Sequence, residues 1–393
     1  MTDIQTALSR TFNNFFKSET SSGVFLIFCT LASLALANSP MGHAYLGFWH
    51  CNLAGLSLEH WVNDGLMAIF FLLVGLELKR ELYSGELSNL KNALLPVVAA
   101  FGGIVVPASI HFFLNAGTPT QAGTGIPMAT DIAFALGILA LLGNRVPTSL
   151  KIFLTALAVI DDLGAIIVIA LFYTTQIYLT YFFLALGVFV LLLILNRAFK
   201  VMSVPIYLLG GILMWFFMLK SGVHATISGV LLAFALPSSA HEEEDNSPSV
   251  QLENLLHKPV AFMILPLFAL ANTGFIIRPE WQESLSNSNS LGIIAGLVIG
   301  KPAGIALACL FAVATKVCQL PSDLKWSHIV GAGLLGGIGF TMSIFIANLA
   351  FAGKMEIIDA SKLAILASSL AAGTLGFLWL KYFTHESQNL AQR

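Results

Sequence analysis

The chain has 393 residues, and its 19 Lys and Arg with 21 Asp and Glu make charged side chains only 10% of the total, where a soluble domain carries roughly 25%. Hydrophobic residues reach 57%, Phe alone contributes 30, and the mean hydropathy is +0.84, which excludes an ordinary soluble enzyme. The net charge of −2 leaves no basic footprint for nucleic acid, and the composition describes an all-α, polytopic membrane protein whose surroundings are the lipid bilayer.

Apolar runs long enough to cross about 30 Å of hydrocarbon as helices occur about twelve times. They cover 23–38, 58–78, 93–115, 119–143, 148–173, 178–198, 203–219, 222–237, 256–277, 289–313, 327–352 and 361–381, within 1–393 read as a single transmembrane domain. The first run, preceded by Arg10 and Lys17 and ending near Ala35-Leu36-Ala37, has the outline of a secretory signal. Its preceding polar region is long for one, so it counts as a span. The segment 39–57 then reads as an extracytoplasmic loop containing Phe48-Trp49, residues suited to interfacial anchoring. The segment 238–255, with Glu242-Glu243-Glu244-Asp245, reads as a solvated cytoplasmic acidic loop. Cys29, Cys51, Cys309 and Cys318 are scattered, without metal-ligand spacing, and read as small packing residues.

Orientation follows from the distribution of Lys and Arg over alternate loops. With a cytoplasmic N-terminus, fourteen fall inside and four, Lys220, Arg278, Lys354 and Lys362, fall outside. That bias predicts an even number of spans with both termini cytoplasmic, and removal of the first span would break the parity.

Lys301 belongs to neither set, because it stands at the midpoint of the tenth span. Asp131 stands at the midpoint of the fourth, and Asp161 and Asp162 stand just past that of the fifth. An ionisable group at the bilayer centre costs about 2.5–3.5 kcal/mol on insertion scales, so these four must face one another or water. A buried ion pair that only fixes packing would use one Asp with Lys301 and leave two carboxylates over. Consecutive residues project about 100° apart on a helix, so one of Asp161 and Asp162 can meet Lys301 while the other faces Asp131. Two nearby carboxylates in a partly desolvated cleft hold a small cation or take up protons, and resist doing both.

The same depth carries interruptions. Gly123-Thr-Gly-Ile-Pro-Met-Ala-Thr-Asp131 places two glycines and Pro127 in the fourth span, and Gly331 to Thr341 places a glycine-rich stretch in the eleventh. Glycines also serve close helix packing. Two interrupted segments at corresponding positions of oppositely oriented halves predict an inverted-topology repeat of spans 3–5 and 10–12, with helices 4 and 11 broken near the midplane. Asp131 and Lys301 are then placed to neutralise facing half-helix ends. An intramembrane aspartyl protease would carry Tyr-Asp and Gly-x-Gly-Asp, neither of which occurs, and a channel would repeat its charges as rings. A sodium symporter for an organic solute would need a larger polar pocket. No enzymatic activity is expected.

At Phe70-Phe-Leu-Leu-Val-Gly-Leu-Glu-Leu-Lys-Arg-Glu81, Pro127-Met-Ala-Thr-Asp-Ile-Ala-Phe-Ala-Leu136, Ile160-Asp-Asp-Leu-Gly-Ala165, Ile264-Leu-Pro-Leu-Phe-Ala-Leu-Ala-Asn272, Gly300-Lys-Pro-Ala-Gly304 and Gly336-Gly-Ile-Gly-Phe-Thr-Met-Ser343, the sequence resembles the NhaA family of Na⁺/H⁺ antiporters over nearly its whole length. The resemblance implies a bacterial inner-membrane, electrogenic exchanger that expels Na⁺ or Li⁺ for more than one proton, without a cofactor. It implies that Asp162 is the main cation and proton ligand, that Asp161 partners Lys301, and that Thr130 and Asp131 line the site. It further implies a pH-responsive region of Glu77, Arg80, Glu81, Glu253 and His257, with His224 also tied to pH. Ordinary i, i+4 surface pairing for the Glu77 cluster, and packing for His224, account for the same residues. Asp64, near the outer end of the second span, reads as structural. The 39–57 segment, by resemblance, is a hairpin through which two copies form a homodimer.

Overall fold

The computed structural model describes residues 21–174, 176–238 and 247–384. Arg10, Lys17, Arg393 and the acidic run Glu242–Asp245 lie outside the described residues. Among those described, nine helices are long and apolar enough to cross a membrane, and eleven if two bent pairs each count as one span. The difference from the expected twelve lies at 222–237, where the only helix is Ile227–Ala235. Gly222 at φ 81° ends the preceding helix in a left-handed conformation that glycine adopts without steric cost, and the chain re-enters helix late.

The chain divides into two compact units. Among the described residues, the first comprises 21–28, Leu90–Ala165 and 277–384. It holds the helices Leu90–Asn115, Ile132–Leu142, most of Thr148–Phe172, the continuous Ser288–Ala314, Trp326–Gly336, Phe340–Ala350 and Met355–Phe383. Glycine brings two of these together. A Cβ on Gly102 would lie 2.3 Å from the Gly304 carbonyl oxygen, and one on Gly304 would lie 2.2 Å from that of Gly102. Helices 90–115 and 288–314 therefore touch backbone to backbone, as small residues allow in lipid. That contact seats the helix bearing Lys301.

The second unit comprises Cys29–Asn89 and Ile166–Ile276. Its helices Leu58–Tyr83, Leu179–Arg197, Val204–Ser221, Ile227–Ala235 and Pro248–Asn272 enclose a core that includes Leu72, Leu76, Tyr207, Met214 and Leu232. The segment expected as a loop at 39–57 contains the helix Gly42–Trp49 and a two-residue hairpin pairing Asn52–Leu53 with Leu56–Ser57. Trp49 is buried, edge-on to Tyr45 and Phe48, so core packing replaces the expected interfacial anchoring at that residue.

The expected acidic loop 238–255 is shorter than its sequence outline. Ser247 caps a helix with Pro248 in its first turn, so 248–255 is helical and Glu253 and His257 stand on one continuous element. Pro lacks the N–H that a first turn leaves unsatisfied anyway, which is why that sequence starts a helix rather than continuing the loop.

Candidate functional site

The fourth hydrophobic run does not form one helix. Residues Gln121–Met128 wind as a 3₁₀ helix, Ala129 turns to extended backbone at ψ 151°, and a regular helix begins at Ile132. Asp131 is the residue that starts it: its Oδ1 accepts from Phe134 N at 3.2 Å as a helix N-cap. Helices 326–336 and 340–350 meet at a bend of 45° around Gly337–Gly339. A Cβ on Gly337 would lie 2.3 Å from the Leu297 carbonyl oxygen, so only glycine fits that crossing.

The two non-helical stretches are bonded to each other. Asp131 N donates to Ile338 O at 2.6 Å, and the Asp131 Oδ2 atom accepts from Thr341 N at 3.1 Å and Thr341 Oγ1 at 2.6 Å. Asp131 thus lies on the amide ends of helices 132–142 and 340–350, where a negative charge is favoured. Ser343 Oγ donates to Ile126 O at 2.7 Å, a second link between the same segments.

Lys301 follows a wide π-helical turn at Gly296–Gly300 and precedes Pro302, whose missing N–H suits such an irregular turn. Its ammonium donates to Met128 O at the carbonyl end of the 3₁₀ helix, and it pairs with Asp161 Oδ2 at 2.6 Å. Cation at carbonyl end and anion at amide ends is the arrangement helix dipoles favour. Thr130 Oγ1 lies 2.7 Å from Asp161 Oδ2 and 2.9 Å from Gly336 O, two acceptors for one hydroxyl proton. Asp161 Oδ1 makes no hydrogen bond to the described residues.

Thr130, Asp131, Asp161, Asp162 and Lys301 are each no more than 3% exposed, and all belong to the first unit. Sequence reasoning singled out these five but gave no role to Thr341, Ser343 or the Met128 carbonyl. The signal for Thr341 was its place in the second interrupted segment, at the depth of Thr130.

The second unit gathers five other singled-out residues. Arg80 pairs with Glu253 and lies 3.5 Å from Glu81, and His257 Nε2 lies 4.0 Å from Glu77. Arg80 reaches a different helix, so i, i+4 pairing along one helix does not describe the cluster. His224 does not join it. Its Nε2 lies 3.1 Å from Tyr173 O, and Asp64 Oδ2 lies 3.1 Å from His60 Nε2.

The profile of a family described as Na⁺/H⁺ antiporter 1 matches residues 13–380. A Na⁺/H⁺ antiporter NhaA of Dechloromonas aromatica (strain RCB) is 70% identical over 383 residues, covering 98% of each chain. One of Cytophaga hutchinsonii is 58% identical over 374 residues, covering 95% of this chain and 96% of its own. One of Helicobacter pylori (strain HPAG1) is 44% identical over 96% of each chain.

Proposed function

The chain belongs to the Na⁺/H⁺ antiporter 1 family, a family of bacterial multi-pass membrane proteins, and from that membership and the buried charge set we propose that it exports Na⁺ or Li⁺ in exchange for more than one proton. The observation that carries the proposal is the consecutive pair Asp161 and Asp162, both buried, of which Asp161 already faces the Lys301 ammonium at 2.6 Å. The ammonium balances one carboxylate. Asp162, buried beside it, is a second carboxylate on which a cation and a proton compete.

A sodium ion takes oxygen ligands. Asp162, the free edge of Asp161 at Oδ1 and the Thr130 hydroxyl offer them on two neighbouring elements. Binding of Na⁺ competes with protons on these groups, so cation entry expels protons and proton entry expels the cation. With two carboxylates and one ammonium involved, more than one proton exchanges for a single positive ion, and the cycle moves net charge. The exchanger is electrogenic and runs on the proton gradient.

The wider architecture of this reading has about twelve spans in an inverted repeat of spans 3–5 and 10–12, with interrupted spans 4 and 11 crossing near the midplane. The two bonded interruptions support it. The fourteen-to-four bias of Lys and Arg supports cytoplasmic termini. The cluster of Glu77, Arg80, Glu81, Glu253 and His257, with His224 apart from it, adjusts activity to pH. The hairpin of 39–57 joins two copies as a homodimer.

The test is Na⁺-induced proton release from the purified protein across a pH series spanning neutrality. Release that rises with Na⁺, with an apparent Na⁺ affinity that weakens by more than about tenfold per unit of acidification below the midpoint, and by about a hundredfold where two protons are displaced, is expected for competition. Asp162→Asn abolishes exchange in everted vesicles, and undiminished Na⁺-driven proton movement by that variant sinks the assignment of Asp162.

A further inference from the structure

Lys79 stands beside the Glu77, Arg80 and Glu81 cluster yet takes no part in its ion pairs. It is 4% exposed, and its three N–H groups meet three acceptors. Nζ lies 3.3 Å from Ala233 O, donates to Leu236 O, and lies 3.5 Å from Ser249 Oγ. Ala233 and Leu236 are the last turn and the cap of helix 227–235, where carbonyls lack helical partners and a cation is favoured. Ser249 begins helix 248–259, and its own Oγ and N reach Pro237 O at 2.7 Å and 3.2 Å. One ammonium therefore ties together the end of one helix and the start of the next, and Asn196 Nδ2 adds a bond to Ala235 O at 2.9 Å.

Ser249 and Glu253 are one turn apart on one helix, and Lys79 and Arg80 are consecutive on another. The Lys79–Ser249 contact and the Arg80–Glu253 pair are two rungs of one seam between helices 58–83 and 248–259. The charged groups around this seam are Arg197 from helix 179–197, Glu253, His257 and Lys258 from helix 248–259, and Glu77, Arg80 and Glu81 from helix 58–83. Helix 227–235 carries none.

We propose that Lys79 is a positioning residue that sets the register of helix 248–259 against helix 58–83, and through it the pH at which transport switches on. The proposal rests on the pH-responsive reading of the Glu77 cluster. The clasp holds the register in which Arg80 and Glu253 are paired, and a weaker clasp lets titration of the cluster move the helix sooner.

The experiment is the pH profile of Na⁺-driven exchange in everted vesicles. Lys79→Met is expected to move the half-activation point to lower pH by about one unit, since one hydrogen bond to a charged group is worth about one unit of proton affinity. Its Na⁺ KM on the alkaline plateau stays at the wild-type value. Ser249→Ala moves the midpoint the same way by less, and Lys79→Arg keeps it near wild type. Glu253→Gln separates the two readings. If it shifts the profile while Lys79→Met and Ser249→Ala do not, the clasp is wrong and the cluster stands; if none of the three shifts it, both fall. An alkaline shift, or a changed plateau KM with an unmoved midpoint, also overturns the clasp. Should Lys79→Met fail to reach the membrane, Ser249→Ala decides.

Discussion

Two ion pairs of this protein, one in each unit, use the same chemistry in opposite surroundings. Lys301 and Asp161 have no exposed side-chain surface, whereas Arg80 is 45% exposed and its partner Glu253 7%. A pair cut off from water is all-or-none: removing one partner strands the other in a medium that cannot solvate it. A pair open on one side is screened and contributes little to stability, but its balance moves with pH and ionic strength. In the proposed exchanger the first pair belongs to the transport step and the second to the pH response, and this difference is what the two roles would require.

The largest effect is expected where that comparison is broken outright. Lys301→Ala leaves Asp161 buried without its cation and should cost about 3–5 kcal/mol, read as a loss of thermal stability in detergent. Adding Asp161→Asn to it should recover part of that loss; an equally unstable double variant means the pair is not the source of the cost. Next is Thr341→Val, which keeps the shape of the side chain but removes the hydroxyl that donates to Asp131 at 2.6 Å. A penalty of about 1–3 kcal/mol is expected, with Thr341→Ser close to wild type in the same melting assay. Equal losses in both would assign Thr341 to packing instead. The smallest is Glu253→Gln. Its partner is half in water, so stability should change by less than about 1 kcal/mol while the pH profile of exchange shifts. A large drop in melting temperature with an unmoved profile would make the exposed pair a structural element like the buried one.

Much of this was legible in the chain. Charge scarcity identified the solvent, and the depth of Asp131, Asp161, Asp162 and Lys301 within their runs identified the groups that lipid cannot tolerate alone. Pro127 and the glycines of 331–339 marked where helices stop. Less legible was anything that depends on a partner distant in sequence. Trp49 was read as an interfacial anchor, because an aromatic pair in a loop next to a span carries the same signal whether it faces headgroups or a core. At 222–237 hydropathy did not register the left-handed turn at Gly222, after which the helix runs only over Ile227–Ala235. The start of the helix at Pro248 was hidden by the acidic residues before it, which shift the local composition toward loop.

The sequence by itself pointed to a lipid solvent and to four ionisable groups near the middle of apolar runs, because a charge there is too costly to stand without a partner; it did not register that Lys79, near the end of its run, is buried as well. The residues alone left open which carboxylate Lys301 takes, the family resemblance implied Asp161, and the structure pairs the two; only the tertiary structure decided that Asp131 joins two helix ends through Thr341 and that Lys79 ties three helices. Depth is a property of each helix alone. Azimuth and partner are not, because a π-helical turn before Lys301 and backbone contact at Gly102 and Gly304 set which face of one helix meets another.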